Sequence, residues 1–103
     1  MTDFSDMLSK AKAMQEKMKE AQDKIKKIEV EGEAGGSLVK VILSGDYELK
    51  SIIISDAAKK ENQEIINDLI IAAYNNAKEN LKKKSAEELS KVTGGLNLPL
   101  DFK

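Results

Sequence analysis

The chain has 103 residues, with 17 basic and 18 acidic side chains, a formal net charge of −1, and neither cysteine nor histidine. This length predicts one domain with a modest core, near the size at which oligomerisation often adds stability. The missing thiols and imidazoles exclude most metal sites and nucleophilic triads, and no pair of carboxylates has a recognisable acid/base setting, so we expect no enzyme, no cofactor and no small-molecule substrate. Without disulfides, a signal peptide or a long apolar run, we also expect a cytoplasmic protein that does not bind membranes.

Residues 1–28 predict a long N-terminal helix. Apolar side chains recur at alternating spacings of three and four residues, which is the heptad pattern of a helix that packs against another helix. Because methionine and alanine fill most of this stripe, it should be soft and weakly cohesive by itself. The members of the stripe are Phe4, Met7, Ala11, Met14, Met18, Ala21, Ile25 and Ile28.

Two columns of lysine follow the same period along this helix. One interpretation is a solvated surface with i, i+4 ion pairs, such as Glu20 with Lys24. The other is a basic strip that binds a polyanion. Binding to a membrane surface is the weaker alternative, because acidic residues interrupt the polar side of the helix. The first column is Lys10, Lys17 and Lys24, and the second is Lys12, Lys19 and Lys26.

Residues 28–55 predict a meander of three short antiparallel strands. In the first strand Ile28 and Val30 alternate with glutamates, so one face should be apolar and the other charged. The two turns fall at Gly35-Gly36 and at Gly45-Asp46, where glycine should supply the positive φ that a tight hairpin requires.

The second and third strands carry apolar residues on both faces. In the second strand Val39 and Val41 line one face while Leu38 and Ile42 line the other. A strand that is apolar on both faces is normally covered on both. One face can take the chain's own helices and the other needs a partner, so the sequence predicts a homodimer through the sheet module 28–55. The residues predicted to form the dimer interface are Leu38, Lys40, Ile42, Ile52 and Ile54.

Residues 60–93 predict the C-terminal helical part. Asn62 is a good N-cap, and the apolar residues that follow it form a broad face that should lie on the sheet. Beyond Ala77 lysines replace most of the apolar residues. The helix should therefore project past the core into solvent.

The end of this helical part is less regular. The segment from Ser85 to Glu88 fits a capping box, so a break or kink near Ser85 and one continuous helix both stay open. Gly94 and Gly95 should end the helix and leave a flexible tail over residues 94–103.

Charge is distributed unevenly along the chain. Residues 1–28 hold seven lysines and five acids, residues 29–68 hold four lysines and nine acids, and residues 69–103 hold six lysines and four acids. Basic helices on either side of an acidic sheet suit a protein whose helices meet a polyanion, although they also suit plain solubility. Arginine is absent, and with it the bidentate contact to guanine, so nucleic acid should be bound through its phosphates with little sequence preference.

Three motifs stand in a distinctive order along the chain. They are Gly-x-x-Gly-Gly at Gly32, Gly35 and Gly36, Ala-x-Asn-x-Ala at Ala73, Asn75 and Ala77, and Gly-Gly-Leu-x-Leu-Pro from Gly94 to Pro99. With this order of motifs, helices and strands, the chain resembles the YbaB/EbfC family of bacterial nucleoid-associated proteins along nearly its whole length.

The resemblance implies an α+β homodimer whose sheets form the dimerisation module and whose projecting helices grip duplex DNA. It implies a nucleoid location, a role in chromosome organisation, gene expression or DNA repair, and contacts with proteins of repair or replication. The DNA-binding candidates on the two projecting helices are Lys10, Lys12, Lys17, Lys19, Lys82, Lys83, Lys84 and Lys91.

A protein-binding function is the alternative to DNA binding. In this hypothesis the Met-rich stripe of the first helix receives another protein, since methionine-rich surfaces adapt to different partners. The lysines would then only keep the dimer soluble.

Overall fold

The computed structural model describes the backbone of residues 2–94 and the side chains of residues 4–92. It confirms the predicted α+β fold, with a three-stranded antiparallel sheet in the order β1-β2-β3 between two long helices. The predicted tail lies outside the described residues, apart from the last helical residue, Gly94. The elements are α1 (Thr2–Lys26), β1 (Glu29–Ala34), β2 (Val39–Ser44), β3 (Leu49–Ile54), α2 (Asp56–Lys59) and α3 (Gln63–Gly94).

The alternation predicted for the strands is confirmed in β1 and β2. In β1 the glutamates are exposed while Val30 and Gly32 are buried. In β2 Val39, Val41 and Leu43 have no exposed surface at all. These three side chains form the floor of the core, against which α3 packs.

The close fit of α3 on the sheet depends on small residues. Ala73 and Ala77 of α3 are completely buried over β1, where Gly32 has no side chain. A Cβ atom at Gly32 would lie 2.6 Å from the Cβ of Ala77 and would clash with the backbone oxygen of Ala73. The backbones of helix and strand therefore approach each other directly, and Leu81 extends the buried contact one turn further along α3.

Strand β3 is much less covered than its neighbours. Helix α3 packs mainly on β1 and β2, and β3 forms one edge of the sheet. Leu49, Ile52 and Ile53 are all exposed. The chain by itself thus leaves an apolar edge strand open to solvent, which soluble proteins generally avoid.

The two turns use glycine differently from each other. Gly35 and Gly36 have φ of +65° and +64°, as predicted for the first turn. The prediction for Gly45 is wrong, because the left-handed residue of the second turn is Tyr47, with φ of +65°. Gly45 is required for space instead, since a Cβ atom there would lie 2.5 Å from the carbonyl carbon of Ile25 at the end of α1.

The two long helices leave the sheet together. Helix α1 runs towards the sheet and α3 runs away from it, and the two pack side by side, so the molecule measures 72 × 24 × 16 Å. We call this pair of packed helices the arm. Helix α3 passes through Ser85 without interruption, so the predicted break is not present and the continuous alternative holds.

The apolar stripe predicted on α1 is covered over only part of its length. Ala21 is buried, and Met14, Met18 and Ile25 are partly buried. Nearer the N-terminus, Phe4 and Met7 are each 67% exposed, and Leu8 is exposed as well. Among the residues that the structure describes, the stripe therefore meets another helix only in the half of α1 that lies nearer the sheet.

The predicted N-cap of α3 is confirmed. The Asn62 side-chain oxygen accepts a hydrogen bond from the backbone N–H of Ile65 at 2.9 Å, which satisfies one of the free donors at the start of the helix. We expect Asn62→Ala to lower the free energy of unfolding by about 1 kcal/mol, measured by urea denaturation followed by circular dichroism. Asn62→Ser keeps a capping oxygen and should stay close to wild type; an alanine variant as stable as the serine variant would contradict the role of the cap.

Candidate functional site

The part of the arm in which α1 and α3 pack side by side contains a shallow, basic groove. It forms where the buried side chain of Ala21 brings α1 against the last turns of α3. Charged side chains surround this small apolar contact on one side of the arm. The groove is lined by Lys17, Glu20, Ala21, Lys24, Glu88, Lys91 and Val92.

Glu88 is the central charged group of the groove. Lys91 Nζ donates a hydrogen bond to Glu88 Oε1 at 3.2 Å, and Lys24 Nζ of the other helix lies 3.6 Å from Glu88 Oε2. Each carboxylate oxygen thus faces a different ammonium group. The hydrogen bond from Lys91 and the charge of Lys24 together lower the pKa of Glu88 from its ordinary value, although partial desolvation opposes the shift. The group therefore stays ionised at neutral pH, and both ion pairs are present there.

Two of the lysines predicted to bind DNA come together in the groove. Lys17 and Lys91 lie in its lining, although they belong to different helices. Lys84 lies seven residues before Lys91, so helical periodicity places it on the same side of α3. Three of the predicted DNA-binding lysines therefore lie with Lys24 along one basic strip. They are Lys17, Lys84 and Lys91.

The other predicted lysines do not join this strip. Lys12 and Lys19 are exposed on the side of α1 away from Ala21, and Lys10 lies nearer the N-terminus, beyond the groove lining. Lys82 and Lys83 point in directions about 100° apart around α3, as successive helical residues must. The eight predicted lysines therefore do not all lie on one side of the arm.

The residues predicted to bind DNA do not include Lys24 and Glu88, which form an ion pair in the groove. Lys24 belongs to the same column as Lys10 and Lys17, and that column was the available signal. Lys24 forms its ion pair with Glu88 of α3. The i, i+4 pattern predicts a different partner, Glu20 of the same helix. No local pattern could identify Glu88, because its importance depends on a lysine from the other end of the chain.

The five residues predicted for the dimer interface divide between the two faces of the sheet. Opposite residues of antiparallel strands share a face, and Ile54 and Ile52 lie opposite Val39 and Val41 on the face that carries α3. Ile54 packs against the core, and so does Leu38 at the end of the first turn.

Lys40 and Ile42 lie on the opposite face of the sheet, away from α3. Lys40 is paired with Ile53 of the edge strand, and Ile42 is paired with Ser51. We call the surface formed by Lys40, Ile42, Ser51 and Ile53 the open face. The dimer contact itself stays a prediction, but only part of the predicted set is placed to make it.

The acidic residues of the sheet lie apart from the arm groove. Glu29, Glu31 and Glu33 are exposed along the outer strand β1, with Glu31 opposite Ile42 and Glu33 opposite Lys40. A row of carboxylates repels a polyanion, whereas the lysines of the arm attract it. Electrostatics therefore favours the arm, and not the sheet, as the place where a polyanion would bind.

The part of the chain that the structure describes contains neither a metal-binding cluster nor a membrane-spanning helix. Among side chains 4–92, no three acidic groups converge to hold a metal ion. Within residues 2–94, neither long helix has an apolar stretch sufficient to cross a bilayer.

Comparison with known proteins matches the chain to one family over most of its length. Residues 1–96 match the model of the YbaB/EbfC DNA-binding family. A nucleoid-associated protein of Mesorhizobium japonicum is 43% identical over 104 aligned positions, and one of Agrobacterium fabrum is 42% identical; both alignments cover 100% of the chain and 97% of the relative. A nucleoid-associated protein of Afipia carboxidovorans is 40% identical over 100 positions, covering 96% of the chain and 95% of the relative.

Proposed function

The chain belongs to the YbaB/EbfC DNA-binding family, and from this premise we propose that it binds duplex DNA as a homodimer, through contacts between lysine ammonium groups and backbone phosphates. The observation that carries the proposal is the basic groove of the arm, in which lysines from two helices share one side. Lys17, Lys24 and Lys91 line the groove, and Lys84 extends it along α3.

The chemistry of the groove favours binding without sequence preference. Lysine contacts phosphate as a point charge, whereas reading a base in the major groove depends most often on the planar fork of arginine, which this chain lacks. Binding of this kind releases counterions from DNA and weakens as salt is raised. The remaining predicted lysines, Lys10, Lys12, Lys19, Lys82 and Lys83, are proposed as secondary contacts with DNA that approaches from other sides of the arm.

Dimerisation through the open face and β3 would give one DNA-binding unit two arms. Ile42 and Ile53 lie diagonally across neighbouring strands of this surface. A second copy would cover the apolar residues of β3 that are exposed in a single chain. Two arms held by one rigid module bind a duplex more tightly than either arm alone, because the second contact becomes intramolecular.

We also propose that the protein is located at the nucleoid of a bacterial cytoplasm. In support, the names of its relatives describe those proteins as nucleoid-associated. Coating of DNA through phosphates would influence chromosome organisation or gene expression at many sites and not at one operator. Contacts with proteins of DNA repair or replication remain predictions from the family resemblance.

The test is an anisotropy titration of random-sequence duplex DNA at low and at physiological salt. We expect wild type to bind and to lose affinity steeply as salt increases. Replacement of the three groove lysines, as Lys17→Gln, Lys24→Gln and Lys91→Gln together, should weaken binding about tenfold or more at low salt. The plot of the logarithm of the binding constant against the logarithm of the salt concentration should also have a shallower slope. The slope should change by up to about 0.9 for each phosphate that the variant no longer neutralises.

A variant with the same loss of charge on the sheet module provides the matched control. Lys50, Lys59 and Lys60 are exposed and lie away from the arm, and their joint replacement by glutamine should leave binding within about twofold of wild type. Equal losses of affinity in the groove variant and in the control would show that only net charge matters. No binding by wild type at low salt would contradict the proposed function itself.

One observation favours protein binding as the second candidate function. Phe4, Met7 and Leu8 are exposed near the start of α1, where no helix of the described residues 2–94 covers the apolar stripe. A partner helix could lie along this stripe, and such binding would depend little on salt. If duplex DNA does not bind, this surface becomes the better explanation of the projecting arm.

A further inference from the structure

Glu88 is nearly enclosed, but the two lysines that it binds are not. Its side chain is 12% exposed, whereas those of Lys24 and Lys91 are 66% and 67% exposed. The carboxylate is thus much less accessible to solvent than the two ammonium groups that bind it. A ligand that approaches the arm from solvent therefore meets the lysines before it meets Glu88.

These ion pairs occupy two of the three lysines that line the groove. Lys24 and Lys91 share the charge of one carboxylate, at 3.6 Å and 3.2 Å. Ion pairs between exposed lysines and a carboxylate are weak in net free energy, because water and salt screen the charges and two long side chains are ordered. Both ammonium groups can therefore turn from Glu88 towards a phosphate without movement of either helix.

We propose that Glu88 is an internal competitor for the DNA phosphates and that it limits the affinity of the arm by holding Lys24 and Lys91. This inference rests on the proposed function and adds to it the residue that sets the strength of binding. In the bound state a phosphate takes over part of the role of the Glu88 carboxylate. The negative charge of Glu88 remains below the phosphate and keeps the complex weak, which suits a protein that coats DNA and exchanges readily.

The decisive variant is Glu88→Gln, which keeps the shape of the side chain and a hydrogen-bonding oxygen. We expect it to bind random-sequence duplex DNA at least about tenfold more tightly than wild type at low salt. The slope of the logarithm of its binding constant against the logarithm of the salt concentration should be steeper by about 1 to 2, because the two freed lysines displace additional counterions from DNA.

Glu87→Gln is the matched control, since it removes the same charge at the adjacent position. Glu87 is exposed and points about 100° away from Glu88 around α3. We expect less than about threefold tighter binding from this variant, through net charge alone. Equal gains in the two variants would overturn the inference, and so would weaker binding by Glu88→Gln, because Glu88 would then position the lysines and not compete for them.

A double-mutant cycle with Lys24→Gln tests the same inference through a second residue. In the wild-type background this change should lower the affinity for DNA by less than about threefold. The reason is that Glu88 already holds Lys24 in the wild type, so that little contact with DNA is lost. In the Glu88→Gln background it should cost about fivefold or more, and purely additive effects would overturn the competition. Far-ultraviolet circular dichroism melting of each variant establishes that the arm is folded.

The outcomes separate this inference from the proposed function. Binding by wild type together with equal affinities of Glu88→Gln and Glu87→Gln overturns the inference alone. Absence of binding in all variants overturns the proposed function and the inference with it. Binding by Glu88→Gln where wild type and Glu87→Gln do not bind supports both.

Discussion

Replacing Gly32 by alanine is expected to lower the free energy of unfolding by about 3 kcal/mol, a larger effect than a single methyl group normally has. The added Cβ would lie 2.6 Å from the Cβ of Ala77 and would clash with the backbone of α3 at Ala73. Backbone atoms of a helix cannot change rotamer as a flexible side chain can. The clash is therefore relieved only if α3 moves away from β1. Thermal or urea denaturation followed by circular dichroism, at one fixed protein concentration, measures the change in stability.

Gly36 provides the control for this experiment. Its φ is +64°, but no atom lies within 4 Å of a Cβ built there, so Gly36→Asn tests the left-handed backbone without a steric clash. Asparagine tolerates this conformation, and the variant should be destabilised by less than about 1 kcal/mol. If Gly32→Ala were as stable as Gly36→Asn, the direct contact of helix and strand backbones would be wrong.

Replacing Ile53 by aspartate is expected to convert the proposed homodimer into monomers. Ile53 is 52% exposed in the single chain and lies beside Lys40 on the open face, so the change should leave the fold of one protomer intact. In the dimer the same carboxylate would lose its water between two open faces, and burying a charge is strongly unfavourable even beside one lysine. Size-exclusion chromatography with light scattering measures the mass directly.

Ile71→Asp is the matched control, because Ile71 is 60% exposed on α3 and lies outside the open face. It should dimerise as wild type does. Ile54 is unsuitable for this test, since it packs against the core and its replacement by aspartate would unfold the protomer. Dimers of unchanged mass and concentration dependence from Ile53→Asp would exclude the open face as the interface.

Local patterns in the sequence are sufficient to predict the main elements. The alternation around Val30 and Val39 identifies the strands, and Asn62 marks the start of α3, because each of these signals depends only on neighbouring residues. The short helix α2 is not predicted by such a pattern. Its single turn is stabilised by the side-chain oxygen of Ser55, which accepts a hydrogen bond from the backbone N–H of Ala58, and one turn is too short for a periodic signal.

Features that depend on contacts between distant segments could not be predicted. The need for glycine at position 45 arises from the end of α1, which approaches the turn only in the folded chain. The groove required the same kind of information: periodicity identifies a lysine column on α1, but only the packing of α3 shows that Lys24 lies beside Glu88. The residues predicted for the dimer interface lie on both faces of the sheet. Which residues of β3 share a face with those of β2 depends on the register of the two strands, and no local pattern reveals that register.

The uninterrupted course of α3 couples the geometry of the arm to the core. The same helix contributes Ala77 and Leu81 to the packing on the sheet and, further on, Glu88 and Lys91 to the groove. Each residue of a helix advances it by about 1.5 Å and rotates it by about 100°. The number of residues between Leu81 and Glu88 therefore sets the direction in which the groove faces. Insertions or deletions in this stretch would turn the lysines away from α1 even if every lysine were retained, so the length of the segment is as much a functional property as its charge.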